Sequence, residues 1–522
     1  MNPTTSLLSL SLLACAASCA ALEQPGVGPR ALGMGGAGVA CSDDYVAQFY
    51  NPAAFGFFGQ GTGDQDKPIL GSDNQNLERK DWGVGIDLMA GARIGGDLIK
   101  YADTISNVDV DKLQDIGKNG VVDPTAVKQL IQVADLLGTI DPSRDTLTAD
   151  ANAGMGIRIG HFGIGARGFS QVNARFINID RKNLGIFGAG DGAIADRINS
   201  AVNGANLPQA QANYTPKYFT PTQFNQLVST LSTPGVNANA VNLAAQTLDT
   251  KASETDLSSQ NSDAVSNALF GDGTADNPGL LAQAQNVSNV ALSKNTTTVR
   301  LSGVGVGEIP ISYGYALNEH ISFGATIKGM VGRVYVTEWV AYQSADDLQN
   351  EIQNVGDNYE ESLNIGVDVG VLFRMKYLQV GLNGRNLNSP TFKGPTVKGI
   401  TYADETIDPS VVLGTAFIPF ETLTIATDID LLRTSTQSDG YYMQKVGGGI
   451  EWDAFRVLAL RAGISKNLAE SDVGLLYHAG LGVNLWALRI DLAAMMSKQT
   501  TTYDDQEVPR EARASLAVAT DW

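Results

Sequence analysis

After residue 80 the chain alternates apolar and polar positions with a period of two, interrupted at intervals by turn-forming residues. In its last stretch Ala512, Ala514, Leu516, Val518 and Thr520 share one register. Arg513, Ser515, Ala517, Ala519 and Asp521 share the other, and the segment finishes on Trp522. Successive side chains of a strand point to opposite faces, so this is a strand with one apolar face. The same rhythm predicts fourteen strands, at 82–91, 148–160, 161–177, 297–316, 320–340, 362–374, 377–385, 409–418, 422–432, 443–452, 455–464, 473–485, 488–498 and 510–522.

The connections sort by length. Every second one is a tight turn, as at His161, Asn318–His320, Met375–Tyr377, Asp453–Ala454 and Trp486–Ala487, and the others are long. An even strand number with short turns on one side and long loops on the other belongs to a transmembrane β-barrel. A soluble sandwich also alternates but needs neither condition. Trp82, Trp452, Trp486 and Trp522 all fall at the short-turn end of their strands, where amphipathic indoles form an interface girdle against lipid. The expected fold is therefore all-β: a 14-stranded antiparallel transmembrane β-barrel over residues 82–522.

Two long loops, 92–147 and 178–296, carry helical signals. Asp123-Pro124 reads as an N-cap with Pro at the first helical position, followed by Val127, Leu130, Ile131, Ala134 and Leu137 at helical spacing. A second helix is predicted over Pro221–Leu231, while 236–296, rich in Ala, Asn, Gln and Ser, is expected to hold little structure. Such helices cover the barrel mouth or offer a hydrophobic capture site. The Gly-rich run Gly303–Gly307 predicts a bend in the wall.

Composition narrows the partners. The net charge of −19 supplies no basic stripe, which argues against nucleic acid. No apolar run of about 18 residues follows the N-terminus, so the chain does not cross a membrane with helices. Residues 7–21 form an apolar run ending in small residues, and 1–21 are read as a signal peptide cleaved near Ala20 or Ala21, although no Lys or Arg precedes the run. Lipidation at Cys15 or Cys19 is the weaker alternative. Cleavage leaves Cys41 alone, so neither a disulfide framework nor a metal site is expected.

Residues 22–81 precede the barrel as one segment. It contains Gly33-Met-Gly-Gly-Ala-Gly38, then Asp43-Asp44, then Tyr50-Asn-Pro-Ala53. This spacing resembles the N-terminal segment of the FadL-like outer-membrane β-barrel superfamily, which includes hydrophobic-molecule channels and PorV-type barrels. Val380–Phe392, Leu423–Leu431 and Leu460–Leu468 look most similar to its conjugal-transfer TraF group. The likeness covers most of the chain except 92–147 and 178–296.

The resemblance implies a Gram-negative outer-membrane location and insertion by the barrel-assembly machinery. It also implies a lumen hatch, with Gly33, Gly35, Gly36, Gly38, Asp43, Asp44, Asn51 and Pro52 as its gate residues. The implied function is passage of a hydrophobic small molecule. The alternative is a non-transporting scaffold with an envelope-protein partner, as in the PorV-type and TraF relatives. A thioredoxin-like chemistry, which the TraF name also evokes, needs a Cys-x-x-Cys pair that the sequence lacks.

The inward register carries mixed charge, including Arg158, Arg175, Arg374, Arg385, Asp428, Asp430 and Arg461. In a barrel interior this reads as salt-bridged walls or a wet lumen. Asp428 and Asp430 share a face, where they could bind a cation, act as an acid/base pair, meet arginines or hold the hatch. His478 is expected to face the lumen alone, and no Ser/His pair is evident from neighbouring positions. No enzymatic activity, catalytic residue or cofactor is expected.

Overall fold

The computed structural model describes residues 20–24, 26–58, 82–99, 101, 140–180, 209–232, 238–254, 262–263, 265–266, 295–341, 356, 358–420, 422–438, 440–454, 457–485, 488–503 and 506–521. Fourteen antiparallel strands close into one barrel. They are β1 (Trp82–Ile94), β2 (Thr146–Ile159), β3 (Phe162–Asn178), β4 (Thr298–Ala316), β5 (Ile321–Val340), β6 (Tyr359–Arg374) and β7 (Leu378–Arg385). The remainder are β8 (Ser410–Phe420), β9 (Leu423–Asp430), β10 (Lys445–Ala454), β11 (Leu458–Asn467), β12 (Leu475–Leu485), β13 (Leu488–Ser497) and β14 (Glu511–Asp521). Every expected strand is present, with ends displaced by a few residues.

Closure is made by β14, which pairs with β13 on one side and β1 on the other, Leu516 opposing both Leu492 and Leu88. Alternation sorts the side chains: Ile86 and Leu88 face outward while Asp87 and Met89 are buried inside. Trp82 and Trp452 are exposed on the outer face at the turn end. Trp486 and Trp522 lie outside the described residues, as does the helix expected after Asp123.

Two expectations are corrected. Residues 303–307 do not bend: they pair without a break with 168–172 and with 331–335. The β3–β4 ladder instead omits the pairs between Ile164↔Ile311 and Arg167↔Glu308, where Pro310 has no N–H to give. The segment after 236 is not structureless, since a helix spans Ala238–Glu254. It packs on the helix Pro221–Leu231, whose start is fixed by a reciprocal capping box between Thr220 and Gln223. Asp249, fully buried, accepts from the Tyr214 hydroxyl and the Lys217, Tyr218 and Phe219 amides, tying the second helix to the segment that leads into the first.

Residues 20–24 and 26–58 run through the lumen from one end to the other. At the loop end, Ala20–Ala21 pairs in parallel with Glu405–Thr406, and the Leu22 amide donates to the Thr406 carbonyl. The short helix α1 (Pro29–Gly33) and the single turn α2 (Ala47–Tyr50) occupy the middle. A 3-10 helix, Pro52–Phe57, lies at the turn end, where the Ser322 hydroxyl donates to the Ala53 carbonyl and His161 Nδ1 meets the Phe55 carbonyl at 3.0 Å.

Candidate functional site: the lumen segment and its cavity

The lumen segment is held to the wall by charge. Arg30 on α1 pairs with Asp43 of the same segment and, at 2.7 Å, with Glu451 on β10. Glu451 also accepts from Arg461 on β11, which reaches Asp491 on β13 at 2.6 Å. Asp491 in turn pairs with Arg489, and Arg489 with Asp44 of the segment. Both hatch aspartates named from the sequence are thus in one network with Arg461. Near the loop end Glu23 pairs with Arg93, and both are buried. Burial would raise the Glu23 carboxyl, but the guanidinium beside it prevails and holds it at about 2. Asp44 is likewise held below its usual value, with Arg489 outweighing burial.

Below this network the arginines lie on aromatic faces. The Arg385 guanidinium lies 3.6 Å from the Phe49 ring centroid, Arg374 3.8 Å from that of Phe57, and Arg158 4.1 Å from that of Phe58. Arg158 is fully buried. A guanidinium over a ring is attracted by the ring quadrupole, most strongly when desolvated. Arg175 is buried farther along β3, toward the loop end.

Backbone approach explains the glycines. Gly33 packs against Arg461 and Gly480, and Gly38 against the Tyr50 ring. Gly35 and Gly36 take positive φ in the turn after α1. Asn51 donates from Nδ2 to the Val39 and Val371 carbonyls and accepts from the Ala53 amide, so that Pro52 enters the 3-10 turn in a fixed direction. Asp428 on β9 takes the amides of Gly38 and Val39 on one oxygen, at 2.8 and 2.9 Å. Asp430 accepts from the Lys445 amide. Of the open readings for Asp428, it is the contact with the lumen segment that the geometry contains; its neighbour does not share it. No group of three or more His, Cys, Asp or Glu side chains fit for a metal ion occurs among the described residues.

His478 is not alone. Its Nδ1 lies 2.7 Å from the Leu32 carbonyl and its Nε2 2.8 Å from the Ser465 hydroxyl on the adjacent strand. Nδ1 therefore carries the proton, and Ser465 donates to Nε2. Diagonal pairing across β11 and β12 makes this contact, because Gly463 opposes His478. The nearby Gly35 and Gly36 amides are already spent on the Leu32 and Ala31 carbonyls, so they cannot serve as oxyanion donors. The pair anchors α1.

Between the segment and the wall from β7 through β14 to β1 lies a cavity of about 170 Å³. Arg385, Asp428, Asp430, Lys445 and His478 line one part of it; Leu32, Met89, Leu476 and Met495, which pack as one apolar cluster, line another.

Residues 193–430 match the sequence pattern of a family described as "F plasmid transfer operon, TraF, protein". The chain is thus a closed 14-stranded barrel, a little under half of which resembles the TraF family. The match includes most of the loop 178–296, beyond the segments that carry the resemblance in the sequence, and so takes in the two packed helices. Among solved structures, the Ralstonia pickettii toluene transporter TbuX is 10% identical, with 95% of this chain and 98% of that one covered and a TM-score of 0.41. The P. putida toluene transporter TodX is 11% identical, with 96% and 99% covered and a TM-score of 0.42. A Pseudomonas aeruginosa FadL homologue is 10% identical, with 96% and 100% covered and a TM-score of 0.41. No curated protein matches the chain.

Proposed function

We propose that this outer-membrane barrel is a gated passage for a small molecule with a hydrophobic part, and that residues 22–81 are its hatch. The observation that carries the reading is the cavity: it lies beside the lumen segment and sets an apolar cluster next to unpaired polar groups, as a ligand site does. The polar contacts of the segment suit a gate. Each of them, from Arg30–Glu451 to Asn51–Val371, can be exchanged for water one at a time, while the apolar cluster of Phe55, Phe57 and Phe58 with Ala316 and Leu372 holds the turn end closed at rest. Capture at the loop end would fill the cavity, and displacement of residues 51–58 at the turn end would release the molecule.

Deleting residues 26–58 should raise the conductance of the barrel in planar lipid bilayers severalfold. An unchanged conductance would sink the gate.

A scaffold role is the second reading, favoured by the match to the TraF family and by the ring-stacked arginines that close the turn end. It predicts that an envelope protein co-purifies with the intact barrel and that hatch deletion leaves small-molecule uptake unaltered.

A further inference from the structure

Four charged side chains line the lumen cavity and make no ion pair among the described residues: Arg385, Lys445, Asp428 and Asp430. Their neighbours differ. Glu23 is paired with Arg93, and Arg513 with Asp150 and Glu511. Asp428 is only 9% exposed, and its Oδ1 has no hydrogen-bond partner; the buried Nε of Arg385 has none either. Leaving charged groups desolvated and unpaired is costly, and the cost is removed by whatever pairs with them.

The balance of those groups selects the ligand. A carboxylate alone would satisfy Arg385 and Lys445 and leave both aspartates facing an added negative charge. An amine alone would satisfy the aspartates and leave the two cations. A hydrocarbon would bury all four unpaired. A zwitterion meets both signs. The apolar cluster of Leu32, Met89, Leu476 and Met495 then takes a hydrophobic arm. At about 170 Å³ the space is below the ~300–1,000 Å³ of drug-sized sites, so the arm is short.

We propose that the cavity binds a small zwitterion with a hydrophobic arm, of the α-amino-acid class, its ammonium on Asp428 and its carboxylate on Arg385 and Lys445. This deepens the passage reading and rests on it for its role, though the binding itself is independent of gating.

The test is calorimetry on the full mature barrel in detergent micelles with four probes of one ring size: L-phenylalanine, phenethylamine, 3-phenylpropionate and toluene. Phenylalanine should bind, and each of the other three should bind at least about tenfold more weakly, because each leaves site groups unpaired. Asp428→Asn should bring phenylalanine level with 3-phenylpropionate, and Arg385→Gln level with phenethylamine. Failure of phenylalanine to bind the unmodified barrel, or binding no tighter than that of 3-phenylpropionate or toluene, overturns the proposal without any variant having to fold. The hatch-deletion conductance uses no ligand. A conductance rise with no phenylalanine binding therefore removes the zwitterion and keeps the gate, and the reverse result does the opposite.

Discussion

Single residues decide how closely the lumen segment sits on the wall. Gly35 has φ +73°, and a Cβ there would lie 2.5 Å from the Ile464 carbonyl and 2.6 Å from that of Gly448. The obstructing atoms are strand backbone, which cannot yield without breaking the ladder. Gly35→Ala should therefore lift the turn after α1 off β10 and β11, at a cost of more than the ~1–2 kcal/mol of left-handed strain alone. Gly36→Ala, with open space around its Cβ, should incur the strain only. Protease protection of the segment separates the two, and equal protection in both variants would contradict this account. Arg30 works by charge. Arg30→Ala leaves Asp43 and Glu451 buried with fewer partners, and breaking a buried pair in this way costs about 3–5 kcal/mol. The variant should show a conductance close to that of the hatch-deleted barrel.

At the scale of elements, the strands were legible because burial on the two faces of a barrel wall has period two, and so does the sequence. The lipid-facing register carries the fold. Leu492, 54% exposed on the outer face between Leu481 and Leu516, should lose about 2–4 kcal/mol of barrel stability on substitution by Arg if it lies at the bilayer midplane. Urea unfolding of the barrel refolded into vesicles measures it, and a loss below 1 kcal/mol would place Leu492 nearer the interface. The helical spacing of Phe224, Leu227, Val228 and Leu231 made one loop helix equally readable, whereas Ala238–Glu254 carries too weak a periodicity to stand out from a polar tract. The candidate site was readable only in part. Alternation tells which residues face inward, so Asp428, Arg461 and Arg385 could be named. Which of them meet depends on register between strands distant in sequence. The diagonal that brings Ser465 to His478 needs Gly463 opposite His478, and nothing local in either strand specifies it. The contacts of Asp43 and Asp44 with Glu451's partner Arg30 and with Arg489 span more than four hundred residues in the second case and leave no trace in either segment. Gly303–Gly307 misled for a related reason, since a Gly on the outer face relieves crowding without requiring a bulge.

For the whole molecule, the lumen segment docks on the wall both through buried apolar clusters, as where Phe55 and Phe57 cluster with Ala316 and Leu372, and through ionised groups, and the ionised part makes the docking depend on acid. Glu23 titrates at about 2 in the docked state against 4.5 when free, because Arg93 outweighs its burial; Asp44 is lowered in the same direction by Arg489. A carboxyl whose value is depressed on docking contributes stability that is fully present above its free value. That stability is lost as the pH falls through the docked value. Docking should therefore hold from neutrality down to about pH 4.5 and weaken from there toward about pH 2. Single-channel conductance should rise over that window in the full chain and stay level in the chain lacking 26–58. Glu23→Gln removes one of the titrating groups, so its conductance should already be raised at neutral pH and should climb less on acidification. A full-length profile that is flat across the window, or a hatch-deleted barrel that responds to acid equally, would mean that the segment is not held by these charges.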